Sequence, residues 1–163
     1  MGGETRVALL ETTAGKALVT FFMAMLPVVE LRGAIPYGAA AGLPPWMVYC
    51  LAVAGNLLPV PFIMLLVRRV FAQLRKGAWW GPRIEALERR AHLKGRLVTK
   101  YRLPGLVLLV AVPLPGTGAW TGALVATLLD IRLRTALPAI TAGVLIAGVL
   151  TGLITGGVAW AFF

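Results

Sequence analysis

Two residues of opposite charge, Glu30 and Arg32, stand in a part of the chain that is otherwise apolar. The 13 residues between Lys16 and Glu30 carry no charge, and the 35 residues from Gly33 to Val67 carry none. Ionisable side chains are costly inside a membrane and are therefore candidates for function. We expect Glu30 to bind a proton or a cation and Arg32 to bind an anionic headgroup through paired hydrogen bonds. The alternative is a structural Glu30–Arg32 pair that holds a turn.

Prolines and glycines interrupt the apolar sequence at two places, because they end or kink helices. A half-helix that begins at such a break turns its N–H groups and positive end toward a bound anion. The alternative is that these residues only let the backbone turn and pack. The candidate substrate-binding residues are Glu30, Arg32, Gly33, Pro36 and Tyr37 at the first break, and Pro113, Pro115, Gly116, Thr117, Gly118 and Trp120 at the second.

Three further polar residues have narrower roles in this interpretation. Thr117 is expected to cap the half-helix that follows the second break. Asp130 is a second candidate for ion coupling, although a charged turn at a membrane face is usually just the end of a span. Asn56 is a lone amide in an apolar helix, which favours an interhelical hydrogen bond.

The composition indicates an integral membrane protein. Of the 163 residues, 59% are hydrophobic and 13% are charged, whereas soluble domains average about 25% charged residues. Three uncharged stretches reach the roughly 20 residues that a spanning helix needs. Within them we predict spanning helices from Trp46 to Val67 and from Thr135 to Phe163, in a single multi-pass membrane domain of residues 1–163.

A strongly basic segment separates the apolar stretches. Residues 68–102 contain eleven basic and two acidic residues out of a chain with net charge +10. The positive-inside rule predicts that this segment is cytoplasmic and that the protein lies in the plasma or inner membrane. We expect an amphipathic surface helix from Pro82 to Arg102 that contacts anionic lipid headgroups. Nucleic-acid binding is not expected, because no recognition motif accompanies the charge.

The order of features is repeated along the chain. Repeat one covers about residues 1–67 and repeat two about 103–163, and each contains a broken apolar segment followed by a spanning helix. The two spanning helices run in opposite directions relative to the basic segment, so the repeats are inverted. We therefore predict an all-α fold of two inverted repeats, each a re-entrant helical hairpin plus a transmembrane helix, with a transport site where the breaks meet.

The stretch Pro27-Val28-Val29-Glu30-Leu31-Arg32-Gly33-Ala34-Ile35-Pro36 resembles the small multidrug export protein family. The second break, from Pro113 to Gly122, resembles that family as well. The family is similar in predicted architecture to the DedA superfamily of lipid-carrier transporters. This resemblance implies inverted repeats and ion-coupled movement of a polyprenyl phosphate or a phospholipid. In the DedA pattern the second hairpin also carries an arginine, which residues 113–120 of this chain lack.

The leading hypothesis is a small secondary transporter of an amphipathic anion, assembled as a homo-oligomer, with a dimer favoured, through its glycine-rich last helix. One alternative is an exporter of lipophilic cations that uses Glu30, and another is a scaffold that binds lipid or a partner through residues 68–102. No enzymatic activity, metal or cofactor is expected. The single histidine and the single cysteine supply neither a catalytic set nor a His/Cys metal site.

Overall fold

The computed structural model describes residues 12–74, 101–114 and 117–162, and every regular element in these ranges is an α-helix. The all-helical prediction is therefore confirmed for the described residues. The predicted surface helix lies outside them except for its last two residues. In chain order the helices are α1 Thr13–Met25, α2 Glu30–Ala40, α3 Pro45–Leu57, α4 Pro59–Leu74, α5 Arg102–Ala111, α6 Ala119–Leu128 and α7 Leu133–Phe162.

Two helical stretches are long and apolar enough to cross a membrane. Pro45–Gln73 combines α3 and α4 across a turn at Leu58, and Leu133–Gly157 lies within α7. Each of the two predicted spanning helices therefore has a candidate of sufficient length, the first of them interrupted at Leu58. The remaining helices have 10 to 13 residues and are too short to cross alone. The predicted pattern of helix, break and helix is present twice, while re-entrant entry into a membrane stays a prediction.

The described residues form two compact units. The first takes the chain up to Leu58 and resumes at Val144, and the second runs from Pro59 to Gly143. In the first unit α1, α2 and α3 pack against one another. The backbones approach closely at Gly55, where an added Cβ would overlap the carbonyl oxygen of Phe21. Only a residue without a side chain permits this approach.

The last part of α7 joins the first unit through α3. The hydroxyl of Tyr49 donates a hydrogen bond of 3.1 Å to the carbonyl oxygen of Leu145. One turn further along, an added Cβ at Gly148 would come within 2.8 Å of the Tyr49 ring. By contrast, Gly152 and Gly156 have open space where a Cβ would stand. These three glycines follow one another at four-residue spacing and so share a face of α7.

In the second unit α6 packs against both α4 and α5. Val110 of α5 fills the space beside two glycines, since an added Cβ would lie 2.5 Å from its side chain at Gly122 and 2.6 Å at Gly143. Arg68 of α4 donates a hydrogen bond of 2.6 Å to the carbonyl oxygen of Ile131. This bond ties α4 to the turn between α6 and α7.

Helices α2 and α6 end in the same way. Gly42 follows α2 with a φ of 79°, and Asp130 follows α6 with a φ of 52°. In each case two backbone hydrogen bonds form the Schellman pattern. They are Gly42 N to Ala39 O and Leu43 N to Gly38 O in the first unit, and Asp130 N to Thr127 O and Ile131 N to Ala126 O in the second. The inverted repeat itself stays a prediction.

Large apolar side chains cover much of the described surface. Examples at least half exposed are Leu18, Phe22, Phe62, Leu66, Leu108 and Leu153. In a membrane, lipid chains would cover side chains of this kind. Cys50, the one cysteine, is exposed on α3.

Candidate functional site

Glu30 begins α2 directly after the turn that follows α1. Its side chain is 5% exposed, and its amide donates a hydrogen bond of 2.9 Å to the carbonyl oxygen of Leu26. The φ of Glu30 is 50°, a left-handed conformation that costs a non-glycine residue about 1 kcal/mol. Strained residues of this kind cluster at functional sites. A buried carboxylate on strained backbone is therefore the strongest functional candidate in the first unit.

Arg32 is half-buried, and the carboxylate of Glu30 is close enough to interact electrostatically with its guanidinium. On a regular helix, residues two apart point to different sides. Here the φ of Glu30 departs from helical backbone, and its carboxylate remains within electrostatic range of Arg32. Both the functional hypothesis for these two residues and its structural alternative require such an interaction.

The remaining candidates of the first break lie at increasing distance from the turn. Gly33 is in the first turn of α2, where an added Cβ would overlap the side chain of Val29. Pro36 lies inside α2 and is exposed, so the expectation that it marks the break is wrong. The helix continues through it, and the actual break is the turn of residues 26–29. Tyr37 is half-buried in the same helix, away from the turn.

The second break runs from Val112 to Gly118, and Pro115 and Gly116 within it lie outside the described residues. Thr117 does not cap α6, because the N-cap residue is Gly118 and no side chain bonds to the first turn. The hydroxyl of Thr117 instead lies 2.9 Å from the carbonyl oxygens of both Val112 and Leu114 and donates its proton within the loop. Gly118 has a φ of 151°, which favours glycine. Pro113 lies within this break and is half-buried.

Trp120 lines an apolar groove of about 480 Å³ in the second unit. The groove runs along α4 and has one charged residue, Arg69, among its lining residues. This arrangement of apolar walls and a single cation fits an amphipathic anion. Trp120 was predicted to bind substrate, but the residues that complete this groove had no signal in the sequence; they are Pro59, Phe62, Ile63, Leu65, Leu66 and Arg69.

Asp130 is part of the turn between α6 and α7. Its carboxylate lies 3.9 Å from the guanidinium of Arg68, and its side chain is 87% exposed. An exposed pair at this distance contributes little to stability. Among the described residues no group of three or more His, Cys, Asp or Glu side chains is placed to hold a metal ion.

Asn56 was expected to make an interhelical hydrogen bond, and this expectation is wrong for the described residues. The side chain is 1% exposed, yet neither its amide nitrogen nor its amide oxygen has a hydrogen-bond partner there. Buried amides nearly always have partners. Asn56 is therefore a polar residue of the first unit that the sequence analysis undervalued.

The comparisons with known proteins agree with the helical, apolar structure. Residues 30–150, about three quarters of the chain, match the family described as small multi-drug export protein. The chain belongs to this family, and it is thus a membrane protein of a transporter class. Neither a curated protein nor a solved structure shows a match to the chain.

Proposed function

We propose that the protein is a small secondary transporter that moves an amphipathic anion across the cell membrane with ion coupling. The substrate class is a polyprenyl phosphate or a phospholipid. The observation that carries this proposal is that the buried carboxylate of Glu30 lies within electrostatic range of the half-buried guanidinium of Arg32, beside the turn between two short apolar helices. The protein acts as a carrier and not as an enzyme.

In this proposal Arg32 and Glu30 bind different ligands. Arg32 binds the phosphate, since a planar guanidinium donates paired hydrogen bonds to phosphate oxygens. Glu30 binds the coupling ion, and its burial favours neutralisation by a proton or a cation over a free negative charge. Asp130 is a second coupling candidate, although its exposed side chain makes it weaker than Glu30.

The groove along α4 supports an amphipathic substrate rather than a small polar one. Its walls include Phe62, Leu66 and Trp120, and Arg69 supplies a positive charge. Apolar walls suit a hydrocarbon chain, while the arginine suits the headgroup. Residues 68–102, which we propose to be cytoplasmic, would add further attraction for anionic lipids.

A homo-oligomer, with a dimer favoured, completes the proposal. Gly152 and Gly156 leave open space on one face of α7. Small residues at four-residue spacing let two helices pack closely in a membrane. The second copy of α7 is the proposed occupant of this face.

An exporter of lipophilic cations is the second candidate, and the family description favours it. Glu30 would then be the binding carboxylate. Arg32 opposes this function, because without a bound anion to neutralise it, its positive charge near Glu30 repels a cationic substrate. The two functions therefore differ in the expected effect of Arg32→Ala, which should weaken binding of an anionic substrate but not of a cationic one.

Native mass spectrometry of the purified protein tests both functions, with a polyprenyl phosphate and tetraphenylphosphonium offered in competition. For the anion carrier, Arg32→Ala should raise the dissociation constant of the phosphate by about tenfold to a hundredfold, the value of a lost charged hydrogen bond. Arg134→Ala is the matched control, because Arg134 is exposed at the start of α7. The affinity of the Arg134→Ala variant for the phosphate should stay at the wild-type value.

The other outcomes separate the alternatives. Retention of tetraphenylphosphonium that Glu30→Gln abolishes and Arg32→Ala tolerates would favour the cation exporter. Binding of neither ligand, with loss of function on charge reversal in residues 83–102, would favour a lipid-binding scaffold. For the carrier, flux in liposomes is the second test, and wild-type rates in both Glu30→Gln and Arg32→Ala would contradict the site.

A further inference from the structure

Asn56 is a buried amide that has no hydrogen-bond partner among the residues that the structure describes. Such a group loses its bonds to water on burial and gains none from the protein. A ligand that offers a positive charge to the amide oxygen would compensate the part of this loss that falls on the oxygen. The surroundings of Asn56 decide which ligand fits.

The helix register places Asn56 at the same end of the first unit as Glu30. An added Cβ at Gly38 of α2 would lie 2.9 Å from the side chain of Val48 in α3, which marks where these antiparallel helices cross. Glu30 precedes Gly38 by eight residues, and Asn56 follows Val48 by eight. At 1.5 Å per residue each lies about 12 Å from the crossing point, in the same direction.

A second contact gives the same placement independently. Gly55, the neighbour of Asn56, packs against Phe21 and Ala24 near the end of α1. The turn that carries Glu30 begins directly after that helix. The end of α3 therefore lies beside the turn of residues 26–29, where α1 ends and α2 begins.

We propose that the side-chain oxygens of Glu30 and Asn56 bind a sodium ion in the first unit. Carboxylate and amide oxygens are hard ligands of the kind that bind alkali and alkaline-earth cations. The site contains a single carboxylate, whose charge Arg32 already balances in part, so it suits a monovalent ion rather than a multivalent one. Interrupted helices in transporters supply coupling-ion sites of this type. This inference deepens the proposed function and rests on its assignment of Glu30 to ion coupling.

The site also provides a physical route for coupling. In the unloaded protein the charge of Glu30 is partly balanced by Arg32. A bound phosphate would occupy the Arg32 guanidinium and weaken this balance, so Glu30 would attract sodium more strongly. Linkage requires that sodium in turn strengthens binding of the anion. Sodium and an anionic substrate should therefore bind with positive cooperativity.

Thermal unfolding and binding of radioactive sodium test the site in the purified full chain, without lipid substrate. Sodium chloride should raise the midpoint of thermal unfolding relative to choline chloride at equal ionic strength. Radioactive sodium should bind saturably. Asn56→Leu should raise the sodium dissociation constant by about tenfold or more, as for other lost metal-site contacts. Thr151→Val is the matched control, because the Thr151 hydroxyl is also buried without a partner, and it should retain wild-type sodium binding.

Asn56→Asp provides a second measurement in case Asn56→Leu fails to fold. A second carboxylate at the site should make calcium stabilise the protein more than sodium does, since multivalent cations prefer paired carboxylates. Equal effects of sodium, potassium and choline on the wild type would overturn the proposal. Wild-type sodium affinity in Asn56→Leu would overturn it as well.

The same measurements keep this inference separate from the proposed function. Sodium binding that requires Asn56, in a protein that does not bind polyprenyl phosphate, would support the ion site and contradict the lipid substrate. Phosphate binding that requires Arg32 without any saturable sodium effect would contradict the ion site alone.

Discussion

Asp130 occupies in the turn after α6 the position that Gly42 occupies in the turn after α2. Both residues have positive φ, at 52° and 79°, and both amides donate to a carbonyl oxygen three residues earlier. Glycine adopts this conformation without steric cost, whereas an L-residue with a Cβ does not. The second turn therefore carries backbone strain that the first avoids.

Asp130→Gly should stabilise the protein. Relief of the left-handed conformation contributes about 1 kcal/mol, whereas the lost pair with Arg68 is largely exposed at 3.9 Å and is worth little. We expect the free energy of unfolding to rise by about 0.5 kcal/mol, because greater freedom of glycine in the unfolded chain offsets part of the gain. Thermal unfolding followed by circular dichroism in detergent measures the change.

The reciprocal control for this prediction is Gly42→Ala, which should destabilise the protein by about 1 kcal/mol. No atom lies within 4 Å of the position that its Cβ would take, so any loss reports on backbone conformation and not on a clash. A lower midpoint in Asp130→Gly would mean that the carboxylate itself contributes more than its exposure indicates.

Gly55→Ala should destabilise the first unit, because a Cβ would overlap the carbonyl oxygen of Phe21. Forcing the helices apart costs about 1–3 kcal/mol. Gly105→Ala on α5 is the matched control, since nothing lies within 4 Å of its Cβ position, and a better helix propensity should leave stability equal or higher. Equal midpoints in the two variants would contradict the close contact between α1 and α3.

A double substitution, Gly152→Leu with Gly156→Leu, should convert the proposed oligomer into monomers without unfolding them. At both positions an added Cβ would meet no atom within 4 Å, so we expect bulkier side chains there to obstruct a second copy. Native mass spectrometry in detergent reports the subunit number, and Gly105→Leu serves as the control. If the double variant had the same subunit number as the wild type, a different face would join the subunits.

Arg69→Gln should weaken binding of an anionic amphiphile in the groove of α4. Arg69 is the one charged residue among the described groove residues, and loss of a charged hydrogen bond costs about tenfold or more in affinity. A neutral long-chain alcohol should bind the variant and the wild type equally, because the apolar walls are unchanged. Titration by native mass spectrometry compares the two ligands, and equal losses for both would indicate a damaged groove.

Much of this architecture follows from the distribution of charge and of prolines. The uncharged stretches predict the spanning helices because burying charge in hydrocarbon is costly, and α3–α4 and α7 lie where those stretches do. The interruption before Glu30 was likewise predicted, although not its exact position. Both inferences depend on local composition, which sequence reports directly.

Other features depend on which helices meet, and a single sequence does not report that. Pro36 and Pro27 have similar surroundings in the sequence, yet the helix continues through Pro36 and is interrupted near Pro27. The unpartnered state of Asn56 likewise depends on the packing of α3 against its neighbours. The groove beside Trp120 forms only because α6 packs against α4.

The exposure of Cys50 has a practical consequence. It is the single thiol of the chain and stands on the surface of a helix long enough to span a bilayer. The unaltered protein can therefore be labelled at one defined point on that helix. A spin label there would report, through its accessibility to oxygen or to a water-soluble nickel complex, whether that face of α3 borders lipid or water.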